Sequence, residues 1–334
     1  MLKFFKTKNP YSLIAIPIIL GVVIFLRLQI VTNLPENACK AYLPDLVFSL
    51  LPENMIYSTR LIGNLIILNI FIFTASHIVS SGNLMLKNNF LYPFVLLFIL
   101  ILPPALPEML RTGASGLLTI LSILVIIQTT ETETPTLNYY KASLLIATAS
   151  LINPIYIIFI LFIPAALIIF RQPKFIPILS SILGFLSPYW IFYGLYYAIT
   201  GRLNTILEIT KLIQSVEIKI PAFDTTEIIY LTFAALMVII TGIFTISKRT
   251  QINIIHRQSF TFMITAFLIS LLILILFPFG YYKIFPVVAF LASVPVSFFL
   301  NNTQKTLFAK ITFNLFLILI IFAHINYHTH IFFK

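Results

Sequence analysis

Apolar runs of about twenty residues recur along the chain, separated by short polar or proline-containing breaks. A helix needs about 20 apolar residues to cross roughly 30 Å of hydrocarbon, and continuous apolar runs favour helices over a barrel. The pattern predicts an all-α fold: a polytopic transmembrane helical bundle of about 11 spans, forming a single integral membrane domain over 1–334. The spans are expected near residues 11–31, 61–80, 90–107, 113–128, 140–152, 155–170, 175–199, 227–246, 259–279, 284–300 and 311–327.

The stretch 141–170 decides the direction of every later span. It is either one long tilted helix or two short segments that break at Asn153-Pro154. Proline removes a helical hydrogen bond and pushes the preceding residue out of the helical region, so a break is expected. Two segments also give the charge distribution that the positive-inside rule requires.

Charge separates the two sides of this predicted topology. If the lysine-rich N-terminus is cytoplasmic, the inner loops hold twelve bases against two acids, and the outer side holds eight of the ten acids. A single helix over 141–170 would move the basic cluster 248–257 outside. The chain is therefore expected in the cytoplasmic (inner) membrane, multi-pass, with its C-terminus outside. The inner bases are Lys3, Lys6, Lys8, Lys87, Lys141, Arg171, Lys174, Lys248, Arg249, Arg257, Lys305 and Lys310.

Composition supports the same class, with 60% hydrophobic residues, 9% charged residues and a mean hydropathy of +1.03. Such a chain cannot supply the polar shell of a soluble protein. The net charge of +11 follows membrane topology, so no nucleic-acid partner is expected. The single cysteine, Cys39, permits neither an internal disulfide nor a multi-cysteine metal site.

Two long outer loops, 32–60 and 200–226, are each predicted to contain an amphipathic interfacial helix. In 203–220 apolar residues recur at helical spacing while charged residues occupy the other faces. The segment 41–51 has a similar apolar stripe. The stripe residues are Leu43, Leu46, Val47 and Leu50 in the first loop and Ile206, Ile209, Ile213 and Val216 in the second.

Asp45, in "YLPDL", is the best candidate for a general base, because it lies between apolar residues directly after a proline. Glu36 and Glu53 are the alternatives in the same loop. The competing interpretation is that all three are solvated loop charges.

The turn "LPPALPEMLRTG" places Glu108 and Arg111 three residues apart at the end of a proline-broken span. Broken backbone at membrane depth is tolerated where it is buried or lines a wet cavity, and an arginine there can hold a phosphate bidentately. The alternative is an ion pair that closes a helix end. Arg27 and Lys283 have two interpretations as well, a further phosphate contact or snorkelling to the headgroups.

The histidines at the C-terminal end are the remaining candidate ligands. His324 and His328 are spaced for metal binding, but they lie near the chain end without a carboxylate partner. No metal site and no cofactor are predicted.

The order of these features resembles GT-C-type integral membrane glycosyltransferases, which use polyprenyl-phosphate-linked sugars. The similar stretches are 46–73, with an arginine after a proline-bearing loop; 94–124, with a proline-ended span and an acid-and-arginine turn; 141–167, with paired short helices; and 280–298, a late span after a basic-aromatic pair.

This resemblance implies that Asp45 is the catalytic acid or base and that Glu108 and Arg111 border donor and acceptor. It implies that the donor phosphate lies near Arg111 or Arg60. Two features depart from the family pattern: the paired acids often found in the first loop are missing, and no outer soluble domain follows the last span.

Three functions are compatible with the sequence. The first is a glycosyltransferase acting at the outer face, with the bilayer and a polyprenyl-phosphate lipid as partners. The alternative is a non-catalytic subunit of an envelope export or assembly complex, bound to membrane protein partners. A lipid or small-molecule transporter ranks third, because the ionisable groups lie near the outer edge and no internal repeat is visible.

Overall fold

A computed structural model of the chain describes residues 53–81, 91–101, 109–130, 135–200, 239–244, 254–276 and 281–302, with the single positions 17, 18, 247, 314 and 318. Nearly all of these residues are helical, and none of them is in a strand. The elements are α1 (Glu53–Ser81), α2 (Leu91–Ile101), α3 (Met109–Gln128), α4 (Pro135–Ile152), the 3-10 helix η1 (Pro154–Leu161), α5 (Phe162–Ile169), α6 (Phe175–Thr200), α7 (Ile254–Leu276) and α8 (Tyr281–Asn302).

Three of the described helices are long and apolar enough to cross a membrane, over Phe175–Leu195, Arg257–Leu274 and Lys283–Asn301. Shorter apolar stretches occupy Ile66–Ser80, Leu91–Leu100, Thr112–Gln128 and Pro154–Ile169. The all-helical, membrane-compatible fold is therefore confirmed, and the count of about 11 spans stays a prediction. The expected spans 11–31 and 311–327 lie outside the described residues apart from isolated positions, and the expected span 227–246 is described only over 239–244, which is helical.

The break at Asn153-Pro154 is present. Helix α4 ends at Ile152, Asn153 is extended with φ −140° and ψ 107°, and Pro154 opens η1. Pro at the first helical position loses no helical hydrogen bond, since that N–H would have no partner in the helix. The prediction of two segments in 141–170 is confirmed, and the second of them is η1 followed by α5.

Helices α4 and α6 run in the same direction. The Ser180 hydroxyl, near the start of α6, donates to the backbone carbonyl of Thr136 at the start of α4 (2.7 Å). Nearer the other ends, Ser150 and Tyr189 join their hydroxyl groups at 2.6 Å. Because α4 and α6 are neighbours that run in the same direction, the chain must cross back to the first end of the bundle after α4 and before α6. The segment formed by η1 and α5 makes this crossing.

Helix α7 packs against α5 and runs opposite to α8. The Phe170 ring, just after α5, lies 5.7 Å from the Phe262 ring in the early part of α7. Phe260 lies 5.3 Å from Phe298, which is near the end of α8. The starts of α4, α6 and α7 and the ends of α5 and α8 therefore lie at one end of the bundle.

Burial distinguishes a central helix from a peripheral one. Of the span Lys283–Asn301 in α8, 89% is buried, whereas only 22% of Phe175–Leu195 in α6 is buried. Large apolar side chains on α6 are exposed, including Trp190 at 77%. In water this exposed apolar face would promote aggregation, whereas in a bilayer lipid chains cover it.

Gly184 permits the close approach of α6 to α4. A Cβ atom at this position would collide with the Ser143 hydroxyl oxygen and with the backbone carbonyl of Tyr140. The Tyr140 hydroxyl also donates to Ser187 Oγ at 3.3 Å. Small residues that let two backbones approach, with hydroxyl groups bonding across, are typical of helix pairs in membranes.

We expect Gly184→Ala to lower the free energy of unfolding by about 1–3 kcal/mol, because the added methyl group must displace backbone of α4. Gly194→Ala in the same helix is the matched control, since a Cβ there meets nothing within 4 Å. Thermal unfolding in one detergent compares the two variants. Equal midpoints for both would contradict the close α4–α6 contact.

Candidate functional site

The starts of α3, η1 and α8 meet around the hydroxyl group of Tyr156. This hydroxyl lies 3.0 Å from the backbone oxygen of Thr112 and 2.6 Å from the backbone oxygen of Lys283, and its proton is shared between the two acceptors. The Tyr156 residue is completely buried. The Tyr156 side chain thus joins the first turns of α3 and α8 to the first turn of η1.

Gly116 lets a fourth helix approach the same point. A Cβ at Gly116 would lie 3.2 Å from Pro286 Cβ, 3.3 Å from the Phe71 ring and 3.5 Å from the Tyr156 hydroxyl oxygen. Those neighbours belong to α8, α1 and η1. A side chain at this position would push α1 and α8 away from α3, so the glycine keeps these helices in contact.

Neighbouring hydroxyl groups on α3 and α8 are buried but satisfied within their own helices. Thr119 donates to the Ser115 carbonyl and Ser122 to the Thr119 carbonyl. On α8, Ser293 and Ser297 bond backward in the same way. Such bonds let small polar residues lie inside an apolar bundle without other partners, and we assign them to packing.

The electrostatics of this end favour an anion. Helix starts carry partial positive charge and unpaired N–H groups. Arg111 and Lys283 lie within the first turns of α3 and α8, and neither first turn contains an acid. Glu108 directly precedes α3 in the chain, so the acid nearest to these cations in sequence lies before the helix. Lys283 is partly buried as a residue. A phosphate group placed there would be stabilised by both cations and by the helix ends.

The predicted site residues fall into two groups. Lys283 and Arg111 lie in the turns that the Tyr156 hydroxyl joins, because Arg111 directly precedes Thr112 in the chain. Arg60 lies in the early part of α1, which begins at Glu53, so the predicted loop segment from Glu53 to Arg60 is helical. Of Arg111 and Arg60 only the backbone is described.

The other predicted site residues, Arg27, Asp45 and Glu108, lie outside the described residues, and their roles stay predictions. The predicted interfacial helices in 32–60 and 200–226 also fall outside, apart from the start of α1 and Thr200. Among the described residues no group of three or more His, Cys, Asp or Glu side chains could hold a metal ion. His324 and His328 are outside the described part of the chain.

The role of Tyr156 at this junction is not predictable from the sequence. It is a tyrosine among apolar residues in an apolar run, and only its place two residues after Pro154 distinguishes it. Its partners lie 44 and 127 residues away along the chain. A long-range contact of this kind leaves no signal in local spacing.

No protein-family model, curated protein or solved structure matches the chain.

We expect Tyr156→Phe to lower the free energy of unfolding by about 1–3 kcal/mol, since it removes a buried hydroxyl that bonds two helices. Tyr92→Phe is the matched control. The Tyr92 hydroxyl, beside Ser293, is buried without a hydrogen bond of good geometry, and Ser293 donates to the Phe290 carbonyl instead. Thermal unfolding in detergent measures both variants, and an equal or larger loss for Tyr92→Phe would contradict the role given to Tyr156.

Proposed function

We propose that this chain is a membrane glycosyltransferase of the GT-C type that transfers a sugar from a polyprenyl-phosphate donor at the outer face of the cytoplasmic membrane. The observation that supports the proposal is the junction of the α3 and α8 first turns at Tyr156, because each first turn carries a cation, Arg111 or Lys283. The same order of features underlies the resemblance to that family.

The donor phosphate is the group that this end of the bundle is suited to bind. Arg111 supplies a planar fork that matches two phosphate oxygens, and Lys283 supplies a point charge. The N–H groups at the helix starts add donors without a side-chain entropy cost. A donor whose polyprenyl chain lies in the bilayer brings its phosphate to the membrane boundary, which is where spans begin.

The chemistry is the displacement of a phosphate from a sugar carbon. Asp45 takes the proton of the acceptor hydroxyl, whose oxygen then forms a bond to the anomeric carbon. The bond from that carbon to the phosphate oxygen breaks, and the polyprenyl phosphate leaves with the electron pair. Cationic side chains stabilise the charge that develops on the leaving phosphate; these are Arg111, Lys283, Arg60 and Arg27. Glu108 borders donor and acceptor.

A non-catalytic subunit of an envelope assembly complex is the second candidate. The largely exposed apolar face of α6, with 22% of Phe175–Leu195 buried, favours it, because a second membrane protein could cover that face. Purification of the chain in a mild detergent with a stoichiometric membrane partner, and without sugar transfer, would support this candidate over the enzyme.

We expect Asp45→Asn to reduce the rate of sugar transfer by about 10²–10⁴-fold, because an amide cannot accept the proton. The assay uses membranes supplied with a radiolabelled polyprenyl-phosphate sugar and measures the label in polymer or protein. Glu36→Gln, in the same predicted loop, is the matched control. Full activity in Asp45→Asn together with unchanged expression would contradict the general-base assignment.

We expect Lys283→Gln to weaken polyprenyl-phosphate binding by about tenfold, the typical effect of losing one charged hydrogen bond. Lys141→Gln is the control, since Lys141 is an exposed cation on α4, which does not contribute to the Tyr156 junction. Binding is measured on the purified chain with a short-chain polyprenyl phosphate. Equal loss in both variants would indicate a general charge effect and contradict the site.

A further inference from the structure

Arg171 occupies a backbone conformation that normally favours glycine. Its φ is 56°, and it is the one described non-glycine residue with positive φ. The turn is a Schellman motif, in which the Gln172 N–H bonds the Leu167 carbonyl at 2.9 Å and the Arg171 N–H bonds the Ile168 carbonyl at 3.2 Å. The residue in the left-handed position of this motif is usually glycine because a side chain is disfavoured there. A non-glycine residue in this conformation lowers the stability of the fold relative to glycine. This cost indicates that the Arg171 side chain has a function of its own.

The chain turns tightly after this motif and begins α6 at Phe175. We call residues Arg171–Lys174 the basic corner. Its two cations, Arg171 and Lys174, are exposed. The Lys174 N–H bonds the Gln172 carbonyl at 2.8 Å, and the Lys174 carbonyl accepts from Ile178 in the first turn of α6. Backbone hydrogen bonds therefore hold both cations at the end of the bundle.

Large exposed apolar side chains flank the basic corner on both sides. Ile168 is 72% exposed before it, and Phe175 and Ile176 are 75% and 67% exposed after it. Exposed apolar side chains of this size suit the hydrocarbon layer, and a cation beyond them lies at the level of the headgroups. This arrangement matches a lipid, with tail and headgroup side by side, and does not match a free anion in water.

Arg257 adds a third exposed cation at the same end of the bundle. The contact of Phe170 with Phe262 brings the basic corner to the early part of α7, where Arg257 lies in the first turn. The first turns of α6 and α7 contain no acid. Two helix starts without the usual negative side chain leave positive partial charge that an external anion can neutralise.

We propose that the basic corner, together with Arg257, binds the phosphate headgroups of anionic lipids in the leaflet that this end of the bundle faces. The lipid tails lie along the exposed apolar faces of α5 and α6. By the charge distribution of the chain this is the cytoplasmic leaflet. The site lies at the opposite end of the bundle from the Tyr156 junction and does not depend on the proposed transferase activity.

The test measures lipid selectivity of the full chain in bilayers of phosphatidylcholine. Trace spin-labelled phosphatidylglycerol or phosphatidylcholine reports the relative association constant of each lipid at the protein surface. We expect wild type to prefer phosphatidylglycerol and Arg171→Gln/Lys174→Gln to lose about fivefold or more of that preference, since each cation near an anionic surface contributes a comparable factor. The charge-retaining Arg171→Lys/Lys174→Arg is the matched control and is expected to keep the preference.

A second variant separates charge from backbone conformation. Arg171→Gly removes the charge and suits the left-handed position, so its thermal stability in phosphatidylcholine is expected to hold or rise while the phosphatidylglycerol preference falls. Unchanged preference in Arg171→Gln/Lys174→Gln and in Arg171→Gly would overturn the proposal. So would loss of the preference when millimolar inorganic phosphate is added at constant ionic strength, because that result indicates a site for free phosphate.

Discussion

Inside an apolar environment every backbone polar group needs a hydrogen-bond partner within the protein. At the Asn153-Pro154 break the helix is interrupted, and the backbone groups there must find their partners in another way. Around the break, the Asn153 N–H bonds the Ala149 carbonyl at 2.9 Å and the Tyr156 N–H bonds the Asn153 carbonyl at 3.0 Å. Two segments can therefore meet within the bundle without leaving these groups exposed to lipid. The Tyr156 hydroxyl then ties the new segment to α3 and α8.

The direction of the later helices depends on this break. Because η1 and α5 return across the bundle, α6 runs parallel to α4, and α7 begins at the end of the bundle where α5 finishes. That arrangement gathers Arg171, Lys174 and Arg257 at one end and leaves Lys283 at the other. With a single continuous helix over 141–170, α6 would have to run antiparallel to it, and the two sets of cations would be mixed.

The sequence predicts helices and breaks well here because their causes are local. Apolar runs and the chemistry of Asn153-Pro154 act within a few residues; the described helices overlap the predicted apolar runs, and α4 ends at Ile152 directly before the predicted break. The contacts that join the helices have no such local cause. Gly184 is one of ten glycines in the chain, and only the approach of Tyr140 and Ser143 distinguishes it. Tyr156 follows Pro154 by two residues, but its bonds to α3 and α8 have no signal in the local sequence. Asp45 lies outside the described residues, and its role stays a prediction from its place in a loop and from a resemblance.

The two ends of the bundle share one electrostatic feature and differ in what surrounds it. At both ends cations lie at helix starts that contain no acid, an arrangement that opposes the helix dipole by a few tenths of a kcal/mol to about 1 kcal/mol for each charge. A bound anion removes that cost at either end. Near Arg171 the neighbours are exposed apolar side chains, so a lipid with its own hydrocarbon can reach the cations from the bilayer. Near Lys283 the backbone carbonyl is bonded by the buried Tyr156, and the Lys283 residue is partly buried. A phosphate near Lys283 would therefore be approached from the protein side as well as from the membrane boundary, which is the difference between the two ends.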